Sequence, residues 1–160
     1  MRFFLDENLS VVAIEPLGVI FRGSHSFQHA GNLGLLGVDD VDLYPRLRDE
    51  GIDAIVSKDG RQLKVQEERR GLYEAGLTFI HLGMGKSRGR TGLALELAAL
   101  TAGIPYIEQH WSDEPWAYRI RGLQSGFTER VASENSIWMD AWGIKPVKRL
   151  PRVNGTQAHA

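Results

Sequence analysis

The chain begins with MRFFLDEN (residues 1–8), in which an apolar run breaks into two adjacent acids before Asn8-Leu9-Ser10, a typical helix start. This order indicates a buried β-strand that delivers carboxylates to its C-terminal end. In open α/β sheets, ligands usually bind at that end. We therefore expect Asp6 to lie in a functional site. Glu7 follows Asp6 on an extended chain and is expected to point to the opposite face.

The bulk composition is that of a globular protein. The chain has 160 residues, the size of one domain, and its 42% hydrophobic and 24% charged residues exclude a disordered or fibrous protein. The absence of cysteine excludes disulfides, thiolate metal sites and cysteine nucleophiles. The acids at positions 6 and 7 interrupt the first apolar run too early for a signal peptide, and no window approaches 18 apolar residues. We expect a soluble, cytoplasmic protein without a membrane segment.

The charge is distributed unevenly. Residues 1–118 contain 12 Lys and Arg against 17 Asp and Glu, whereas residues 119–160 contain 7 against 3. An acidic body with a basic C-terminal extension suits a metal site beside a phosphate-binding surface, but a charged tail also serves solubility alone. We expect a single domain over residues 1–150 and a disordered tail over 151–160.

Apolar runs alternate with helical patterns along the chain, which predicts an α/β fold with a mostly parallel central sheet between helices. The predicted strands cover residues 3–8, 19–22, 52–57, 77–82 and 126–131. The predicted helices cover residues 8–17, 39–50, 61–75 and 92–102, and residues 23–37 are expected to form a loop. Trp138 and Trp142 are predicted to close the core, although tryptophan beside arginine is also compatible with base stacking.

Three acids fall at the ends of these predicted elements. Asp6 and Asp59 each follow a strand, and Asp40 begins the intervening helix, so the three could converge. Such carboxylates bind Mg²⁺ or Mn²⁺, and the ion relieves their mutual repulsion. The alternative is that Asp39 and Asp40 only cap a helix and favour its dipole.

Other candidate ligands are less well placed. Glu96 lies in the middle of a strongly apolar helix, where a carboxylate is costly unless it is paired, ligated or exposed, so it is a possible metal ligand. His25 and His29 have the spacing of a helical metal pair, but they fall in the predicted loop, where exposed histidines are the better interpretation.

A basic, glycine-rich loop over residues 83–91 follows the fourth predicted strand. It resembles a phosphate-binding P-loop, but Ile80 stands where that motif requires glycine. Lys86, Arg88 and Arg90 remain candidate contacts to a nucleic-acid backbone, which needs only donors and charge. A phosphate-binding enzyme that uses this loop is a third, open interpretation.

Three segments together look like the small PIN-like proteins, among them VapC-like ribonuclease toxins of bacterial toxin–antitoxin pairs. They are LDENL at residues 5–9, HAGNLGLLG leading into DVDL over residues 29–43, and AIVSKD at residues 54–59. The match covers residues 1 to about 60 well, and residues 77–105 only as a strand–helix pattern. The resemblance implies that Asp6, Asp40 and Asp59 are metal ligands and catalytic residues, with Glu7 a lesser candidate.

The chain departs from the family pattern at residues 57 and 61, and its segment after residue 105 is longer than in the minimal members of the family. The family strand usually continues as Thr-x-Asp-x-Asp-Phe, whereas Ser57 replaces the threonine and Arg61 the second aspartate. Arg61 is expected either to weaken a metal site or to act as a phosphate contact.

The resemblance implies a three-layer α/β sandwich and a Mg²⁺- or Mn²⁺-dependent endoribonuclease. Its expected partners are RNA and an antitoxin, and a homodimer is possible. The alternative from another class is a PIN-like binding module without catalysis, which acts on protein or nucleic acid.

Overall fold

A computed structural model describes residues 1–84 and 89–122, which lie within one compact unit over Met1–Ser125. Five strands form one fully parallel sheet in the order β2-β1-β3-β4-β5. The strands are β1 (Arg2–Leu5), β2 (Ser26–His29), β3 (Ala54–Ser57), β4 (Thr78–Gly83) and β5 (Ala117–Arg121). The helices are a 3₁₀ turn (Val11–Ala13), α1 (Ile14–Ile20), α2 (Ala30–Leu33), α3 (Asp40–Asp49), α4 (Gln66–Glu74) and α5 (Gly89–Gln109).

The sheet separates two hydrophobic cores, because successive side chains of a strand point to opposite faces. Phe3 and Leu5 pack with residues of α1 and α5 on one face. Phe4 packs with residues of α3 and α4 on the other. The strand positions 3–5 are all fully buried, as expected for a parallel sheet covered on both sides. The predicted three-layer α/β architecture is therefore confirmed.

The order of the strands places a switch point between β1 and β3. The chain passes from β1 to β2 on one side, and later returns to β3 on the other side of β1. Leu5 is paired with Val56 across this junction, so the residues that follow β1 and β3 leave the sheet side by side. A crevice forms at such a point, and ligands bind there in open α/β sheets.

The second strand lies later in the chain than predicted. Residues 14–20 form α1, so the predicted strand over 19–22 is wrong, and β2 occupies part of the predicted loop over 23–37. Pro16 is tolerated because it lies in the first helical turn. The strand was hidden because only Phe27 of its four residues is apolar, while His29 is buried through hydrogen bonds.

The last helix is longer than the predicted 92–102, because α5 continues through Pro105 to Gln109. Ile104 and Ile107 are buried and continue the apolar face of Leu100 beyond the predicted end of the helix. This packing outweighs the cost of a proline in a helix, about 3 kcal/mol.

The final described strand, β5, had no predicted counterpart. Its exposure alternates along the strand, without the apolar run that marks the central strands. The predicted strand over 126–131, Trp138, Trp142 and the predicted tail over 151–160 lie outside the described residues.

Candidate active site

An open acidic cleft of about 290 Å³ lies at the switch point, beyond the C-terminal ends of β1 and β3. Its only basic lining residue, within the described part of the chain, is Arg61. Five carboxylate side chains line it: Asp6, Glu7, Asp39, Asp40 and Asp59. The structure therefore brings together the three acids that the sequence singled out.

Asp6 is the most buried of these acids. Its side chain is only 8% exposed and accepts hydrogen bonds on both oxygens. Oδ1 accepts from the backbone N–H of Glu7 at 2.7 Å. Oδ2 accepts from Asn8 Nδ2 at 2.6 Å and from Ser57 Oγ at 2.7 Å. These bonds fix one carboxylate orientation at the end of β1.

Asn8 and Ser57 also join the ends of β1 and β3 to each other. Asn8 Oδ1 accepts from the backbone N–H of Lys58 at 2.8 Å, and Asn8 Nδ2 also contacts Ser57 Oγ at 3.0 Å. Ser57 Oγ in turn accepts from the backbone N–H of Asp59 at 3.0 Å. The two polar side chains therefore position Asp6 relative to Asp59.

Asp40 is the first residue of α3 and carries uncompensated negative charge. Gln62 Nε2 donates to its Oδ1 at 2.9 Å, which favours the ionised form. Burial, followed by the negative charges of Glu68, Asp6 and Asp59, nonetheless raises the pKa of Asp40 to about 6. A nearby cation would relieve this repulsion.

The side chain of Asp39 does not cap α3. Asp39 occupies the N-cap position, as predicted, but its side chain makes no capping hydrogen bond. It lines the cleft instead. The backbone carbonyl of Asp39, not its carboxylate, accepts from the N–H groups of Asp42 and Leu43.

Asp59 is neutralised by its neighbour Arg61. Arg61 Nε lies 3.0 and 2.9 Å from the two carboxylate oxygens of Asp59, and Nη2 donates to Oδ2 at 2.5 Å. The backbone N–H of Arg61 donates to Oδ1 at 2.9 Å. The side-chain hydrogen bonds from Arg61 lower the pKa of Asp59. In this arrangement, Arg61 covers both oxygens of an expected metal ligand.

Glu7 reaches the same cleft as Asp6, contrary to the prediction of opposite faces. The strand ends at Leu5, and the backbone turns so that the N–H of Leu9 bonds the carbonyl of Asp6 at 2.9 Å. The alternation of an extended chain therefore does not apply. Glu7 Oε2 accepts from the backbone N–H of Gly37 at 3.1 Å, at the rim of the cleft.

Glu96 does not line the cleft, although it was considered as a metal ligand. It is 1% exposed and accepts from Lys58 Nζ at 2.6 Å and from the backbone N–H of Ser10 at 3.0 Å. This pairing explains how a carboxylate is tolerated inside α5. Its observed contacts are structural.

Neither histidine of the segment before α2 is an exposed loop residue. His29 is 5% exposed, bonds the carbonyl of Leu9 at 3.1 Å and caps α2 through Gly31 N–H at 2.9 Å. The side chain of His25 is 2% exposed and contacts the rings of Phe3 and Phe21. The expectation of exposed histidines is wrong, and the two do not form a metal pair.

The predicted phosphate contacts are located only in part. Arg61 lines the cleft. Arg90 is exposed in the first turn of α5 and is not among the lining residues. Lys86 and Arg88 lie outside the described residues.

The cleft supplies carboxylate oxygens, the donor type that divalent cations such as Mg²⁺ prefer. Among residues 1–84 and 89–122, no three His, Asp or Glu side chains hold a metal ion by their own geometry. Mg²⁺ does not require that, because it retains several waters and often binds through one or two carboxylates. Hard oxygen donors and the repulsion that raises the pKa of Asp40 both fit such an ion.

Sequence reasoning missed two polar residues of the site. Asn8 was interpreted as part of a helix start, and Gln62 as part of a solvated helix. Gln62 is 7% exposed and bonds Asp40 from the turn before α4. No periodic pattern marks such residues, because their role depends on contacts between distant segments.

The fold and the site define a parallel α/β protein with a carboxylate cleft at the switch point of its sheet. The sequence profile of the PIN-like domain family matches residues 1–84, more than half of the chain and all of the segments that line the cleft. The chain belongs to this family, whose members are generally nucleases. No significant match is found among curated proteins or solved structures.

Within residues 1–84 and 89–122, no helix has the length and apolar character needed to cross a bilayer.

Proposed function

We propose that this protein is a Mg²⁺- or Mn²⁺-dependent endoribonuclease and the toxin of a bacterial toxin–antitoxin pair. The observation that carries the proposal is the convergence of Asp6, Asp40 and Asp59 on one cleft of a PIN-like domain. Their carboxylates are the donors available to hold the ion. A divalent ion bound there would activate a water and neutralise charge on the scissile phosphate.

The side chains around the ion have distinct tasks in this proposal. Asn8 and Ser57 hold the carboxylate of Asp6 in one orientation, since both donate to its Oδ2. Gln62 holds Asp40 through Oδ1. The guanidinium of Arg61 is exposed at the cleft and is suited to a phosphate oxygen.

The test is cleavage of single-stranded and structured RNA by the purified protein with Mn²⁺ or Mg²⁺, and with EDTA. Asp6→Asn and Asp59→Asn should each reduce cleavage at least about 100-fold. The first removes negative charge at the ion, and the second removes the carboxylate that holds Arg61 at the cleft. Asp49→Asn is the matched control, since Asp49 is an exposed acid at the far end of α3. Equal cleavage by Asp6→Asn, Asp59→Asn and wild-type protein would contradict the assignment.

The toxin role needs a separate experiment. Induced expression in bacteria should arrest growth, and expression of Asp6→Asn at the same level should not. Relief of the arrest by co-expression of the product of an adjacent gene would identify the antitoxin. If growth continues while an active ribonuclease is expressed, the toxin role is rejected and the ribonuclease activity is not.

A second candidate function is a PIN-like binding module without catalysis. The pairing of Arg61 with both oxygens of Asp59 favours it, because it removes one carboxylate from the donor set. Isothermal titration with Mn²⁺ discriminates the two functions. The binding module predicts no Mn²⁺ binding up to millimolar concentration.

A further inference from the structure

The charge of the cleft is divided into two halves. Asp6 and Asp40 form the first half, where both carboxylates line the cleft without a basic side chain bound to either among the described residues. Asp59 and Arg61 form the second half, where the guanidinium contacts both carboxylate oxygens. The negative charge that has no cationic partner therefore lies on the side of Asp6 and Asp40.

Gln62 provides an independent indication of a ligand in the first half. It is 93% buried, lines the cleft and donates to Asp40 through Nε2, while its Oε1 has no partner among the described residues. A buried acceptor without a partner costs about 1–3 kcal/mol. Water carried by a cation beside Asp40 would supply the missing donor.

Arg61 already supplies a positive charge in the second half. Its contacts to Asp59 are local, because the two residues are separated only by Gly60 and the backbone N–H joins the same carboxylate. The side chain of Arg61 is 83% exposed, so the guanidinium N–H groups that do not bind Asp59 face solvent. A guanidinium in this position can bind a phosphate through parallel N–H donors.

We propose that the cleft holds one divalent ion, between Asp6 and Asp40, and that Arg61 anchored on Asp59 takes the place of a second ion. The substrate phosphate then bridges the ion and the guanidinium. Asp59 acts as the positioning residue of Arg61 instead of a metal ligand. This inference deepens the proposed nuclease function and rests on it for the identity of the substrate.

The ion count is measured by isothermal titration of Mn²⁺ and by electron paramagnetic resonance of bound Mn²⁺. Wild-type protein should bind one ion. Arg61→Asp frees Asp59 and adds a carboxylate where the family pattern has one, and it should bind two. Arg70→Asp is the charge-matched control and should bind one, because Arg70 is an exposed arginine in a local pair with Glu74, outside the cleft.

Two ions in the wild-type protein, no ion in it, or one ion in Arg61→Asp would overturn the inference. Circular dichroism of each variant checks the fold. Both arginines are exposed, so neither substitution should disturb the fold. Failure of the two proposals is distinguishable. One bound ion without RNA cleavage would reject the nuclease function and support the ion count. RNA cleavage with two bound ions would support the nuclease function and reject the ion count.

The phosphate contact is tested without metal, by binding of a single-stranded 12-nucleotide RNA in EDTA. Arg61→Ala should raise the Kd about 10-fold, the loss of one charged bidentate contact. Arg61→Lys should recover only part of the affinity, because an ammonium lacks the planar fork. Arg70→Ala should leave the Kd within about twofold. Equal effects of Arg61→Ala and Arg70→Ala would contradict the role given to Arg61.

Discussion

Asn8 Nδ2 donates a hydrogen bond to Asp6 Oδ2 at 2.6 Å, two residues away along the chain. The same side chain accepts from the backbone of Lys58, which follows β3. One amide therefore couples the geometry of a carboxylate at the end of β1 to the strand beside it. Because parallel strands contribute only their ends to a site, such a link fixes distances that the sheet alone does not.

Asn8→Ala should weaken the site and the fold together. Loss of the hydrogen bonds to Asp6 and Lys58 should lower the free energy of unfolding by about 1–2 kcal/mol. It should also weaken Mn²⁺ binding about 10- to 100-fold, the usual effect of removing an outer partner of a metal ligand. Calorimetry and urea denaturation measure the two effects. Asn32→Ala, at an exposed position of α2, is the control, and equal Mn²⁺ affinity in both variants would exclude the positioning role.

Asp40→Asn should stabilise the metal-free protein at neutral pH. The pKa of Asp40 is about 6 in the folded protein against an ordinary value of 3.8, so the folded state binds more protons in this interval. Its contribution to stability therefore falls as pH rises from about 4 to 6 and stays low above that. Asparagine avoids this penalty and retains an acceptor for Gln62. We expect a gain of about 1 kcal/mol at pH 7.5, after allowance for solvent screening.

The pH dependence distinguishes this effect from a general change in packing. The difference between wild-type protein and Asp40→Asn in thermal denaturation should shrink as pH falls below 6 and vanish near pH 4. Asp49→Asn should show no such trend, since Asp49 is exposed. A difference that is constant from pH 4 to 8 would mean that the charge of Asp40 is not its source.

Lys58 and Glu96 should behave as a structural pair. Lys58→Met should lower the free energy of unfolding by about 3 kcal/mol, because it leaves the 1% exposed carboxylate of Glu96 without its cation. The double variant with Glu96→Gln should recover most of this loss, since glutamine can still accept from Ser10 N–H. Urea denaturation measures both. Glu96→Gln alone should bind Mn²⁺ like the wild-type protein. A loss of Mn²⁺ affinity above tenfold would mean that Glu96 is a metal ligand.

The sequence predicted the central strands and the acids at their ends because those features are local and periodic. Phe3 to Leu5 and Ala54 to Val56 are apolar runs followed by polar residues, and both lie where predicted. The edge strands β2 and β5 were missed because edge strands contain polar residues and lack such runs. The contacts within the site are local only in part. The ion pair of Arg61 with Asp59 joins residues only two apart, so the sequence itself indicates it. The hydrogen bond from Gln62 to Asp40 depends on how α3 and the turn before α4 pack together.

A pair of glycine substitutions tests the packing behind the site. A Cβ at Gly71 in α4 would lie 2.8 Å from Cδ2 of Tyr44, a fully buried residue of α3. Gly71→Ala should therefore lower the free energy of unfolding by about 1–3 kcal/mol, because the Tyr44 ring has no room to move. Gly18→Ala in α1 meets no atom within 4 Å and should instead raise it by about 0.5–1 kcal/mol, the gain in helix propensity. Urea denaturation of both variants gives the comparison, and a stabilising Gly71→Ala would mean that α3 and α4 are not in close contact at Tyr44.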